Sequence, residues 1–123
     1  MSDKLSQGEF CWNELLTSDV AGATKFYAGL FGWQAEEFPG MEYTLFKKEG
    51  AKMAGMMLKK HPQMPTQWLS YVAVESVDAS AAKVGKLGGK VIVPPFDVPT
   101  VGRIAVLQDP QGASIALFQP VKK

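Results

Sequence analysis

Few side chains in this sequence could take part in acid–base chemistry, and one carboxylate stands out among them. Glu14 lies in an aromatic and apolar segment and, by the strand period of two, shares a face with Trp12 and Leu16. A carboxylate withdrawn from water among aromatic rings is a stronger base, which suits proton abstraction from a carbon next to a carbonyl. The sequence therefore singles out Glu14 as the candidate catalytic residue, acting as a general base or as a metal ligand.

The single histidine and the single cysteine are weaker candidates. His61 lies in the polar segment 60–66 without a second imidazole, so a solvated surface histidine is expected there instead of a metal ligand. Cys11 should point to the opposite side of its strand from Trp12, where an inert, buried thiol is expected. One cysteine excludes a disulfide within the chain and is typical of the reducing cytoplasm.

Composition and charge limit the partners. The chain has 123 residues, 46% of them hydrophobic, which predicts one compact domain over residues 1–123. Thirteen basic and twelve acidic residues leave a net charge of +1, and the lysines are scattered, which argues against nucleic acid or an anionic membrane as a partner. No segment has the pattern of a membrane span or a signal peptide. These features predict a cytoplasmic protein whose partner is a small organic molecule.

The first half of the sequence predicts a strand, a helix and three further strands. A strand is expected over 9–17, and Ser18 or Asp19 can cap a helix that ends at Gly32. Strands follow at about 33–38, 42–48 and 52–59, with a turn at Glu49 and Gly50. The predicted order of this first module, residues 9–59, is β-α-β-β-β.

The same order repeats after a linker. The segment 60–66 is polar and contains two prolines, which disfavour a helix or a central strand. A second module over 67–120 then begins with a strand at 68–76 and an Asp78-capped helix that ends before Gly88. Strands at about 90–94, 102–108 and 113–119 complete it, the last two joined by the turn Asp109-Pro110-Gln111-Gly112. The sequence thus predicts an α+β fold of two tandem β-α-β-β-β modules.

Several features together resemble the vicinal oxygen chelate superfamily, which includes glyoxalases, bleomycin resistance proteins and extradiol dioxygenases. They are the paired modules, the segment Leu30-Phe31-Gly32-Trp33 that closes the first helix, and the turn before the last strand. The resemblance extends from about Phe10 to Pro120 and points to a glyoxalase-like branch. It implies that each module is a curved mixed sheet, a half-barrel, and that a pair of half-barrels encloses the ligand. Such a fold hosts lyases, oxygenases and binding proteins alike.

The resemblance also implies positions for a divalent metal ion, and this sequence lacks suitable ligands there. The first strands of the two modules place Trp12 and Tyr71 at those positions, and the last strand of the second module places Ala116. The corresponding strand of the first module, with residues 53–57, has no carboxylate or imidazole. Because such ions need oxygen or nitrogen donors, the prediction is a protein without a metal or another cofactor.

Strand alternation assigns an aromatic and apolar face with a few polar anchors to a ligand site. Its predicted members are Trp12, Tyr71, Arg103, Ser114, Ala116 and Phe118. The opposing interpretation is that the rings only fill the core and that Glu14 is satisfied by a neighbouring group. Arg103 could pair with Glu14, hold an acidic ligand, or lie in solvent at a strand edge.

We therefore expect a glyoxalase- and bleomycin-resistance-like protein that binds a small organic molecule in an aromatic-lined concave cavity without a metal. The alternative is a glyoxalase-like lyase or isomerase that uses Glu14 as a general base, or as a metal ligand with Gln119 or Tyr71, so enzymatic activity stays open. Trp12 and Tyr71 are equivalent in the repeat and are expected to face the same concave surface. Because a half-barrel leaves apolar surface uncovered, a symmetric homodimer is expected.

Overall fold

The computed structural model of the chain describes residues 7–38, 42–59, 64–99 and 101–121. Within these ranges it has eight β-strands, two α-helices and one short 3-10 helix. Contacts divide the chain into two compact units. The first unit comprises residues 13–69, and the second comprises the residues before 13 and after 69. No helix in the described ranges is long and apolar enough to cross a membrane.

The first unit is a four-stranded mixed sheet with one helix. Its elements are β1 (Phe10–Thr17, from Asn13 onward), α1 (Val20–Phe31), β2 (Gln34–Glu37), β3 (Thr44–Lys48) and β4 (Ala51–Leu58). The strand order is β2-β3-β4-β1, in which β4 runs parallel to β1 and the other neighbours are antiparallel. The predicted β-α-β-β-β order of this half of the chain is confirmed.

Local sequence signals set the limits of α1 and of the hairpin that follows. The Asp19 carboxylate accepts a hydrogen bond from the Gly22 backbone N–H at 2.9 Å, which caps the helix as predicted. Gly32 ends it in the left-handed conformation, with a φ of 74°. Glu49 and Gly50 both have positive φ between β3 and β4, the backbone of a type I′ turn.

The core of the first unit lies between its sheet and α1. Buried side chains from β1, β3 and β4 (Leu15, Phe46, Ala54 and Met56) pack against the helix. Tyr27 of α1 is the centre of an aromatic cluster with Phe31, Trp33, Phe46 and Trp68, and its hydroxyl accepts a hydrogen bond from the Trp68 indole N–H at 3.0 Å. One face of this sheet is therefore covered by the helix α1.

The second unit repeats the arrangement. Its elements are β5 (Gln67–Ala73, from Ser70 onward), α2 (Val77–Val84), a 3-10 turn (Gly85–Leu87), β6 (Lys90–Val98), β7 (Gly102–Gln108) and β8 (Ser114–Pro120). The order β5-β8-β7-β6, with β8 parallel to β5, corresponds strand by strand to the first unit. The predicted α+β class with two β-α-β-β-β modules is confirmed.

Two details of the second unit differ from the prediction. The helix cap is Ser76, whose hydroxyl accepts from the Ala79 N–H at 3.1 Å, whereas Asp78 lies in the first helical turn. Strand β6 is longer than expected because it continues through Pro94 and Pro95 to Val98. It is the edge strand, and its pairing with β7 shifts register in this region, so the missing proline N–H groups do not break a central ladder.

Candidate functional site

The sheet of the first unit has a face turned away from α1, and Glu14 lies on it. Glu14 of β1 is the register partner of Gly55 on β4, which in turn is opposite Leu45 on β3, so the three share one face. The neighbouring positions Leu15 and Met56 belong to the other face, which packs on the helix. We call the surface formed by Glu14, Leu16, Leu45, Gly55 and Met57 the helix-free face of the first unit.

Glu14 is buried although it carries a carboxylate. Only 5% of its surface is exposed, and its neighbours on this face include the buried, apolar Leu16 and Leu45. Removing a carboxylate from water costs several kcal/mol unless hydrogen bonds or counter-charges offset the loss, and an apolar residue at such a position is often as stable or more stable. Glu14 is therefore an acidic residue at a position where apolar side chains are usual.

Tyr43, which the sequence analysis did not identify, also reaches this face of the sheet. A Cβ atom added to Gly55 would overlap the Tyr43 hydroxyl and would come within 2.7 Å of the ring carbon Cε2. The tyrosine ring therefore lies over the helix-free face, and its hydroxyl occupies the space that a side chain at position 55 would fill. A glycine inside an apolar strand is the sequence signal for such a close approach.

Four of the predicted ligand-binding residues share one face of the second unit. Tyr71 is the register partner of Ala116, and Ser114 and Phe118 alternate with Ala116 along β8. Tyr71, Ala116 and Phe118 are all buried, with 5%, 0% and 4% of their surfaces exposed, and Ser114 is half-buried. The first three are as buried as core side chains.

Arg103 does not lie on that face. It is the register partner of Gln119, on the side of β8 opposite to Phe118, and its guanidinium binds Asp78 of α2 through Nε at 2.8 Å and Nη2 at 2.9 Å. Nη1 binds Asp97 of β6 at 3.1 Å. The hydrogen bonds from Arg103 hold the pKa of Asp78 below its usual value. The prediction that Arg103 shares a face with Ser114, Ala116 and Phe118 is wrong. Alternation determines which residues of one strand share a face, but the register of the hairpin determines which residues of two neighbouring strands do.

Gln119 also binds the helix α2. Its side-chain oxygen accepts a hydrogen bond from the Val77 backbone N–H at 2.9 Å, at the start of α2. It lies on the same side of the sheet as Arg103, whereas Tyr71 and Ala116 lie on the other. This geometry separates Gln119 from Tyr71 and gives no support to an ion held with Gln119.

The segment around Cys11 and Trp12 runs beside β5. The Cys11 thiol donates to the Tyr71 backbone oxygen at 3.5 Å, and the pKa of the thiol is raised by burial and, to a smaller extent, by the charge of Glu9. Trp12, the next residue, is half-buried. The prediction that Trp12 and Tyr71 face one surface stays a prediction, and His61 lies outside the described residues.

The residues at the expected metal positions do not fit a divalent metal centre. They present an indole, a phenol and a methyl group at Trp12, Tyr71 and Ala116, while β4 contributes thioethers and no carboxylate or imidazole. Across the part of the chain that the structure describes, no group of three or more His, Cys, Asp or Glu side chains converges.

Sequence comparison relates the chain to known proteins over almost its whole length. The Glyoxalase/Bleomycin resistance protein/Dioxygenase superfamily matches residues 10–117. The chain is 41% identical over 116 residues to the Mycobacterium bovis protein named "Putative glyoxylase CFP32", which covers 92% of this chain and 44% of that protein. It is 34% identical over 133 residues to the anthracycline biosynthesis protein DnrV of Streptomyces peucetius, covering 94% and 48%. The chain spans about half the length of these curated relatives.

Solved structures share the fold at low sequence identity. A superfamily member from Vibrio splendidus has a TM-score of 0.61 and 13% identity, over 92% of this chain and 100% of that one. A Streptomyces coelicolor methylmalonyl-CoA epimerase in complex with 2-nitronate-propionyl-CoA has a TM-score of 0.60 and 15% identity, over 95% and 100%. The family match, the curated relatives and these folds agree with the β-α-β-β-β repeat. The chain belongs to the glyoxalase/bleomycin resistance protein/dioxygenase superfamily.

Proposed function

We propose that this protein binds a small organic molecule on the helix-free face of the first unit, without a metal, and that Glu14 accepts a hydrogen bond from the ligand. The burial of Glu14 is the observation that carries the proposal. A carboxylate with 5% exposure lies beside the apolar side chains of Leu16 and Leu45 on this face. Ligand sites combine apolar walls with a few such polar groups, since burial supplies affinity and the polar groups set orientation.

Relatives indicate which ligands to test first. DnrV is named for anthracycline biosynthesis, and the methylmalonyl-CoA epimerase was solved with a propionyl-CoA analogue, so both an aromatic polyketide and a coenzyme A thioester are reasonable probes. A probe that binds only the native state raises the apparent stability by about 2.7 kcal/mol at a hundred times its dissociation constant. We therefore expect a higher thermal unfolding midpoint in the presence of at least one probe of these two classes.

The decisive comparison uses Glu14→Gln. Because a hydrogen bond to a charged group is worth about 1.5–3 kcal/mol, this change should weaken binding roughly ten- to hundredfold. Glu37→Gln on β2 is the matched control, since Glu37 is exposed and the substitution is the same. Equal affinity of the wild type and Glu14→Gln, in a protein that binds a probe, would remove Glu14 from the site.

A second candidate function is that of a glyoxalase-like lyase or isomerase, favoured by the same burial of Glu14. In this mechanism the Glu14 carboxylate takes a proton from a carbon next to a carbonyl, the electron pair of the broken C–H bond moves to the carbonyl oxygen as an enolate, and the proton is returned to carbon. Incubation of methylmalonyl-CoA with the protein in D2O tests it, because a base of this kind exchanges the α-proton for deuterium. Exchange that is as fast with Glu14→Gln as with the wild type would exclude Glu14 as the base.

A further inference from the structure

We propose that two copies of this chain associate through the outer surface of α1, with the two helices antiparallel across a twofold axis that passes beside Phe26. The sequence predicts a homodimer that covers the apolar surface of a half-barrel, whereas the interface proposed here lies on the helix. It is independent of the proposed ligand site, because α1 and the helix-free face of the first unit lie on opposite sides of one sheet.

Three large apolar side chains of α1 are exposed in the single chain. Phe26, Leu30 and Phe31 have 60%, 58% and 46% of their surfaces exposed. Phe26 and Leu30 are four residues apart and therefore adjoin on the helix surface, and Phe31 follows directly after Leu30. On the helix-free sides of the two sheets, by contrast, Leu16 and Phe118 are buried. The helix thus presents to solvent a continuous apolar surface of the kind that marks protein interaction sites.

The exposed area of these side chains fits a small, stable interface. A fully exposed aromatic side chain presents about 200 Å², so Phe26, Leu30 and Phe31 together expose about 300 Å². The smallest stable interfaces bury about 600 Å² on each partner, of which rather more than half is apolar. The three side chains therefore supply most of the apolar area that one copy must contribute to a dimer.

The two ends of α1 carry opposite charges, which favours an antiparallel pair. The Asp19 carboxylate lies at the N-terminus, where it binds the Gly22 N–H at 2.9 Å, and the Lys48 Nζ lies at the C-terminus, where it donates to the Phe31 backbone oxygen at 3.0 Å. When Phe26 of each copy lies at the twofold axis, the first turn of one helix is opposite the last turn of the other. Each Asp19 carboxylate then approaches Lys48 of the partner subunit, and the helix dipoles oppose each other. The surface is therefore complementary to itself, as a twofold interface requires.

The first test places a charge in the interface. Leu30→Glu should change the wild-type dimer into a monomer at micromolar concentration, measured by light scattering after size exclusion. A buried carboxylate without a partner should weaken association by at least about a hundredfold. Leu87→Glu is the matched control and should stay dimeric, since Leu87 is 75% exposed and lies in the 3-10 turn of the second unit. A monomeric wild type, or a folded Leu30→Glu variant that is still a dimer, would overturn the proposed interface.

The second test reports the geometry and decides the matter even if Leu30→Glu does not fold. In a Cys11→Ser background, Phe26→Cys should form a disulfide between two copies under mild oxidation, because the twofold axis brings the two positions face to face. Ala28→Cys is the control, since Ala28 is exposed but lies on the other side of α1 from Phe26. Cross-linking that is as efficient at position 28 as at position 26 would contradict the antiparallel pair.

Two further variants separate association from folding and from ligand binding. Phe26→Ala should weaken the dimer about tenfold, as the loss of a central aromatic contact does, while the unfolding of the dissociated monomer is nearly unaffected because the ring is exposed there. Glu14→Gln, at the proposed ligand site, should leave the dimer intact. A dimer that Phe26→Ala does not weaken would argue against the interface on α1, whereas the proposed function depends only on the ligand affinity of Glu14→Gln.

Discussion

The contact between Tyr43 and Gly55 predicts that Gly55→Ala lowers the stability of the wild type but raises the stability of a variant without the Tyr43 ring. In the wild type, the methyl group of Gly55→Ala would overlap the Tyr43 hydroxyl and the ring, and overpacking of this kind costs about 1–3 kcal/mol. Gly55 has no positive φ, so its backbone suits alanine, which is favoured over glycine in a strand by about 0.5–1 kcal/mol. The net expectation is a loss of about 1–2 kcal/mol of unfolding free energy.

The same substitution should stabilise a protein that lacks the tyrosine ring. In a Tyr43→Ala background the overlapping atoms are absent, so Gly55→Ala should raise the unfolding free energy by about 0.5–1 kcal/mol. Tyr43→Phe should give an intermediate value, because it removes the hydroxyl but keeps ring carbons that also lie within 2.7 Å of the added methyl. The stability changes of two substitutions are coupled in this way when the residues are in contact, whereas the changes at distant, independent sites are additive.

Urea denaturation, followed by circular dichroism, gives the unfolding free energies of four proteins: the wild type, Gly55→Ala, Tyr43→Ala and the double variant. Gly29→Ala on α1 is the matched control, since nothing lies within 4 Å of a Cβ there and its helical position favours alanine by about 1 kcal/mol in either background. The same loss of stability for Gly55→Ala with and without the Tyr43 ring would refute the placement of the phenol over Gly55.

Four further predictions test other parts of the molecule. Asp78→Asn should lower the thermal midpoint by more at pH 7 than at pH 3. Arg103 holds the pKa of Asp78 below its ordinary value of about 3.9, so the stabilisation is complete well above that value and declines as the pH falls below it. An equal loss at both pH values, measured by calorimetry, would contradict this. Phe46→Ala should cost about 3–5 kcal/mol in urea because the ring is fully buried, whereas exposed Phe26→Ala should change stability by less than about 0.5 kcal/mol. Elemental analysis of purified protein should find no stoichiometric zinc, nickel, iron or manganese, and a chelator should leave the thermal midpoint unchanged, whereas one ion per chain would restore a metal mechanism. Light scattering after size exclusion should give twice the chain mass of 13.4 kDa, and the chain mass itself at micromolar concentration would exclude the homodimer.

Local sequence signals were sufficient to predict the type and approximate bounds of most helices and strands. The cap at Asp19 and the left-handed Gly32 bound α1 where the sequence places them, and β7 occupies 102–108 as predicted. Each depends on chemistry within a few residues of chain, such as a carboxylate near free N–H groups or a glycine that tolerates positive φ. Ser76 caps the second helix instead of Asp78 because α2 begins at Val77, which places Asp78 inside the first helical turn. Asp78 was instead engaged by Arg103, a partner 25 residues away.

The composition of the faces could not be predicted to the same extent. Alternation correctly groups Ser114, Ala116 and Phe118, because they lie on one strand. It does not place Arg103 relative to them, since a hairpin whose turn is one residue longer or shorter would exchange the two faces of the partner strand. Tyr43 was missed for a related reason. It precedes the first residue of β3 and acts on a glycine of the next strand, so only the pairing of β3 with β4 brings the two together.

The chemistry of the buried side chains, and not their burial, distinguishes Glu14 from the buried residues of the second unit. Tyr71, Ala116 and Phe118 were selected as a ligand surface, yet their burial matches that of core side chains, and all three are consistent with a purely structural role. Glu14 is buried to the same degree, but a buried carboxylate, unlike an apolar side chain, needs hydrogen bonds or counter-charges to offset the loss of water. Ala73, which the internal repeat of the sequence predicts to be equivalent to Glu14, is buried as well. The β-α-β-β-β module thus occurs twice, and we place the proposed ligand site in the first unit because that unit contains the buried carboxylate of Glu14.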